Sequence, residues 1–174
     1  QSAAKDWNAA AATLAQQVKS GLIPTPEGNR KQAAMLAAQA LALEDGDKPK
    51  ALDLALKAHK LDPGLVPAAL VAARVLVTQA STRKATKILK ETWVLSPHPD
   101  LADVQARLIP GDNPDARLDR VRDLLKEDKG GLEGAVALAR AAVRAKRWDM
   151  ARDALKPYAD NRPQARICAL MADI

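Results

Sequence analysis

The sequence predicts an all-α chain of helix pairs stacked in series, and three observations carry that prediction. Apolar residues make up 48% of the 174, yet aromatics are only 2% and Phe is absent. The apolar material is therefore mostly Ala, Leu and Val. Ala loses no side-chain entropy in a helix and Leu loses little, whereas a sheet would draw on more aromatic and β-branched residues. The third observation is self-similarity: Lys50, Ala51, Leu61 and Pro63 recur as Lys84, Ala85, Leu95 and Pro97, a spacing of 34 residues. A fixed period of this length marks a helical repeat.

Each element follows from that period. In a helix–turn–helix repeat, a small residue early in the second helix sits where the two helices cross, and Ala51, Ala85 and Ala151 take that place. Pro63, Pro97 and Pro163 are the stops, because Pro lacks an N–H and disfavours helix at the residue before it. Residues 1–22 read as a half repeat, since Asp6-Trp7-Asn8-Ala9-Ala10 parallels Arg147-Trp148-Asp149-Met150-Ala151 and Leu14 parallels Leu155. Residues 24–29 then read as an insertion lengthening a turn. The first complete repeat spans 31–63, with Met35, Ala38 and Ala42 at helical spacing facing the core and a turn at Asp45-Gly46-Asp47. The second spans 65–97, with Ala69, Ala72 and Leu76 as counterparts and a turn at 79–82. Residues 99–129 form a degenerate pair broken at Pro110-Gly111-Asp112, its second helix opened by Asn113 as cap and Pro114 at the first position. A last repeat covers 131–163, and 164–174 is a terminal helix. The expected architecture is one tetratricopeptide-like domain, a right-handed solenoid with a concave face.

Charge and cysteine content exclude several classes. A net charge of +6 arises from 27 basic and 21 acidic residues, interspersed as on a solvated helix surface. Nucleic-acid proteins cluster their basic residues and add aromatic platforms, so no nucleic-acid partner is expected. Cys168 stands alone, which allows no internal disulfide and no cysteine-based metal site. No apolar run reaches the roughly 18 residues of a membrane span. The chain starts at Gln1 without Met and enters a helical pattern at once, which predicts a piece cut from a longer protein.

Several strings go beyond the generic repeat. His59-Lys60-Leu61-Asp62-Pro63 with Leu65-Val66-Pro67-Ala68-Ala69, and Leu95-Ser96-Pro97-His98-Pro99-Asp100-Leu101-Ala102, resemble the HemY family of proteobacterial tetratricopeptide proteins. Ala137-Leu138-Ala139-Arg140-Ala141-Ala142, Arg162-Pro163, Arg166-Ile167-Cys168 and Leu170-Met171-Ala172 extend the likeness over residues 5–174. The resemblance implies a protein encoded with heme-biosynthesis genes and held in the inner membrane by N-terminal helices outside this sequence. It also implies a partner among heme-biosynthesis enzymes and a role in heme or porphyrin handling. It is distinct from the protoporphyrinogen oxidase of similar name, and it supplies no catalytic residues.

Candidate chemistry is sparse. His59 and His98 are the conventional heme ligands that such a role would use, but each also reads as a surface histidine, His59 on the convex side and His98 at a helix start. No cofactor is therefore expected, heme being the one the resemblance raises, and no metal site. Trp7, Trp93 and Trp148 read as packing residues because large aromatics bury much area. Cys168, beside Leu170 and Met171, reads as a buried structural thiol. No acid–base pair or activated nucleophile is prepared, so the chain is read as a non-enzyme. The remaining site is the concave face, where the first helices contribute Leu36, Ala40 and Leu43; Leu70, Arg74 and Val77; and Val136, Arg140, Val143 and Arg144. An apolar floor with arginines suits a peptide bearing carboxylates or a porphyrin propionate. An interaction scaffold for a protein partner is the preferred function, and a direct porphyrin carrier the alternative.

Overall fold

A computed structural model describes residues 2–127, 131–159 and 164–174. Pro163 and the side chain of Trp7 lie outside the described residues. All regular structure among the described residues is helical: α1 (Ser2–Lys19), α2 (Thr25–Leu43), α3 (Lys48–Leu61), α4 (Val66–Thr78), α5 (Thr82–Leu95), α6 (Pro99–Ala106), α7 (Pro114–Leu124), α8 (Leu132–Arg144), α9 (Trp148–Ala159) and α10 (Ala165–Ala172), with a 3₁₀ turn at Leu125–Glu127.

Local chemistry sets these boundaries. Helices α2, α3, α4, α6 and α7 carry Pro in their first turn, where the missing N–H has no intrahelical acceptor to lose. Asp47 caps α3 by accepting from the Lys50 amide at 3.1 Å, and Asn113 caps α7 through the Ala116 amide at 2.8 Å. Helices α3 and α5 end at Leu61 and Leu95, each two residues before its proline. The turns after α4 and α8 share one geometry. Ala80 and Lys146 adopt left-handed φ of 55° and 56°. The amides that follow, Ser81 and Arg147, reach back to the carbonyls of Leu76 and Ala142 at 2.9 Å. This is the Schellman closure of a helix end, here built without glycine.

Packing follows a two-row plan. Each of α2, α4, α6 and α8 lies against the helix that follows it, and the even-numbered helices also contact one another in succession from α2 to α10. One continuous core runs from Ala40 in α2 to Leu170 in α10, with Leu89, Trp93, Leu101, Leu124, Leu155 and Ile167 among its largest buried side chains. Ala51, Ala85 and Ala151 are all fully buried, as the crossing position requires. A separate seam of small residues, Ala33, Ala37, Ala58 and Ala68, joins α2, α3 and α4. Polar ties between elements recur at similar sequence intervals: His59 to Glu91, Thr92 to the Pro63 carbonyl, Arg147 to Asp115 and Arg166 to Glu133 span 29 to 33 residues.

Several expectations are corrected. Residues 24–29 are no insertion: Pro24 is the cap of α2, and the helix already includes residues 25–29. Gly28 is buried there, and a Cβ on it would overlap Val18 of α1, so α1 and α2 meet through the missing side chain. In α2 the core face is Ala33, Ala37 and Ala40, while Ala38 and Ala42 are exposed and Met35 is half-buried. Alanines stand on every side of this helix, so hydrophobicity alone does not fix its phase. In α4 the counterparts Ala69, Ala72 and Leu76 are buried as expected, along with most of that helix. In α1, Leu14 is buried like Leu155, but Ala10 is exposed, unlike Ala151.

Candidate functional site

Helices α4 and α6 lie side by side in the even-numbered row and each presents one stripe to a shared groove. On α4 the stripe is Leu70, Arg74 and Val77; on α6 it is Asp100, Asp103 and Val104, continued by Arg107 at its C-terminal cap. Both sets follow the three- and four-residue spacing of one helix face. Together they line a cavity of 370 Å³. A second cavity of 290 Å³ continues from it through Arg107, bounded by Ala106, Pro114, Arg117, Ala141 and Arg144. The floor is apolar and the rim is charged.

Ion pairs fix parts of that rim. Arg74 donates from Nε and Nη2 to the two oxygens of Glu44, at 2.5 and 2.7 Å, across the end of α2. The hydrogen bond to Glu44 raises the Arg74 pKa above its ordinary value, so the guanidinium stays charged. Arg144 of α8 donates to Asp103 of α6 at 2.7 Å. Arg107 and Arg117 are exposed and have no ion-pair partner among the described residues. The nearby acids of α7 are engaged elsewhere, Asp115 with Arg147 and Asp119 with Arg122.

The other sequence-predicted groove residues separate. Val136 and Ala40 are fully buried and belong to the core, not to a binding face. Leu43 and Val143 are half-buried and pack against that core. Leu36 lines a different cavity, with Asn29, Gln32, Lys57, Lys60 and Leu61, between α2 and α3. Arg140 is half-exposed and lines neither cavity of the groove. Asp100, Asp103, Val104, Arg107 and Arg117 were missed because the pair they belong to departs from the repeat register. The stripe at 100, 103, 104 and 107 is nonetheless visible as helical spacing.

Trp93 and His98 stand as expected, whereas His59, Trp148 and Cys168 differ. His59 is buried at 8% exposure rather than displayed on an outer surface, with Nε2 3.1 Å from Glu91 Oε2 of α5. His98 does sit at a helix start, where its Nδ1 accepts the Asp100 amide at 3.2 Å and caps α6. Trp93 is a core residue at 1% exposure, but Trp148 is 41% exposed. As first residue of α9 it has no preceding turn of its own helix to lie on. Cys168 is exposed rather than buried, since Ile167 and Leu170 take the inward positions of α10. Among the described residues no group of three or more His, Cys, Asp or Glu is placed to hold a metal ion. Among the described residues no helix is long and apolar enough to cross a membrane.

Fold and site thus define an all-helical protein with a charged-rim groove lined from α4, α6 and α8. No protein-family model matches the chain. It is similar to the probable magnetosome protein Mms48 of Magnetospirillum gryphiswaldense, with 30% identity over 171 residues. That alignment covers 98% of this chain but 38% of the relative, so the chain spans well under half of the relative's length. The finding overturns the resemblance to the HemY family: the relative is a magnetosome protein, and no family model supports the heme-linked assignment.

Proposed function

We propose that the chain is a non-enzymatic interaction scaffold that seats a polypeptide in the groove between α4 and α6. The observation that carries this reading is the convergence of Leu70, Arg74 and Val77 with Asp100, Asp103, Val104 and Arg107 on one cavity. Apolar side chains supply contact area there, and a rim of both signs supplies orientation and selectivity. The finer architecture we propose is a tetratricopeptide-like solenoid. Three buried crossing alanines, two turns of one geometry and ties at a near-constant sequence interval support it. In a solenoid each repeat contacts only its neighbours, so one row of helices offers a continuous face to a ligand.

The test is a comparison of charged substitutions on two faces. Val77→Asp with Val104→Asp puts carboxylates on the groove floor, while Val94→Asp alters an exposed position of α5. Both proteins are produced in the native organism, and their co-purifying proteins are quantified. A stoichiometric partner retained by Val94→Asp and lost from the groove variant supports the reading. A partner profile identical in both proteins contradicts it.

A further inference from the structure

The cavity on Arg107, Arg117 and Arg144 differs from its neighbour in charge. The lining of the α4–α6 cavity holds Arg74 and Arg107 together with Asp100 and Asp103. The lining of the second cavity contains three arginines and no acid. Asp103 reaches Arg144 from outside that lining and engages its Nη1. Among the described residues Arg107 and Arg117 have no ion-pair partner, and Asp112, Asp115 and Asp119 are held by Arg120, Arg147 and Arg122. Such an arrangement leaves the guanidinium forks of Arg107 and Arg117 without a direct ion pair beside the apolar side chains of Ala106, Pro114 and Ala141. Guanidinium groups match carboxylates through paired, charge-assisted hydrogen bonds.

We propose that this cavity is the specificity end of the groove and takes a pair of acidic side chains from a Glu- or Asp-rich segment of the partner. The proposal rests on the scaffold reading and names the chemistry of its ligand. Charge complementarity selects the occupant. Arg107 and Arg117, unpaired among the described residues, offer two guanidinium forks, one more than a single chain-terminal carboxylate can engage and the number that two side-chain carboxylates match. Arg107 lines both cavities, so a segment lying over Leu70, Val77 and Val104 continues directly into the arginine seat.

The experiment follows arginine side-chain Nε–Hε resonances of the ¹⁵N-labelled chain during titration with N-acetyl-Glu-Glu-amide. Parallel titrations use N-acetyl-Gln-Gln-amide, N-acetyl-Gly-Gly and inorganic phosphate. Saturable shifts at Arg107, Arg117 and Arg144 with the acidic dipeptide, and not with the other three probes, are expected. Arg107→Gln and Arg117→Gln should each weaken that binding about tenfold, the loss of one paired contact. Both side chains are exposed, so the variants retain the helical circular dichroism of the parent. The absence of a saturable response overturns the proposal. So do equal shifts at the outlying Arg152, or binding of phosphate or N-acetyl-Gly-Gly as tight as that of the acidic dipeptide. Failure here with a groove-dependent partner still retained removes the acidic ligand and leaves the scaffold. Binding of the dipeptide without a groove-dependent partner does the reverse.

Discussion

Arg74 and Glu44 meet through two parallel hydrogen bonds of 2.5 and 2.7 Å, joining the end of α2 to the middle of α4. One wall of the groove is therefore held by an ion pair in addition to the apolar contact of α2 with α4. The pair is partly open to solvent, with side-chain exposures of 40% and 17%, so screening limits its worth. Arg74→Ala is expected to cost about 0.5–1 kcal/mol in urea denaturation, well short of a buried pair. Glu44→Gln should cost a similar amount, and the double variant less than the sum.

The phase of α2 is testable by a neighbouring pair of substitutions. Ala37 lies in the small-residue seam at 3% exposure, whereas Ala38 faces solvent. Ala37→Leu should destabilise by about 1–3 kcal/mol through overpacking, and Ala38→Leu should stay within about 0.5 kcal/mol of the parent. Equal effects would place the seam elsewhere on α2.

Ala80 and Lys146 hold left-handed backbone conformations that L residues with a Cβ disfavour. Replacing either with Gly relieves that cost and increases unfolded-state entropy by a smaller amount. The expected net effect is a stabilisation of about 0.5–1 kcal/mol at each site, read as a raised Tm.

Asp123 receives hydrogen bonds from Lys126 and Lys90, and these hold its carboxyl below the usual carboxylate range. Its folded-state pKa is depressed, so its stabilising contribution is present above the unfolded value of about 3.9 and is lost as pH falls through the folded value. Carboxyl NMR should show Asp123 titrating below the ordinary aspartate value. Lys90→Gln should move it back toward that value, since Lys90 Nζ lies 2.7 Å from its carboxylate.

Much of the helical plan was legible in the residues. The Ala and Pro period marks α3 and α5; the Asp45-Gly46-Asp47 turn falls between helices as read, and the turn read at 79–82 is residues 79–81, Thr82 already opening α5. Phase within α2 was not legible, because Ala on all faces carries no contrast between inside and outside. Leu70, Arg74 and Val77 were found as a face, but Val136 and Ala40 were placed on it wrongly, since an offset carried over from other repeats ignores how closely alanine-lined helices approach. The α6 half of the groove was hidden for another reason. Its partners, Asp103 and Arg107, meet α4 and α8 only in three dimensions. Charge pairing across helices, such as Arg144 with Asp103 over 41 residues, leaves no trace in a local window.

The measurement that bears most directly on the scaffold reading is photo-crosslinking in living cells, with p-benzoylphenylalanine placed at Val77, Val104 or, as control, Val94. Val77 and Val104 line the groove, and Val94 is exposed on α5. Crosslinks from both groove positions to the same polypeptide, absent at Val94, are the expected result. Crosslinks at Val94 alone, or none at either groove position, would contradict a groove-seated partner.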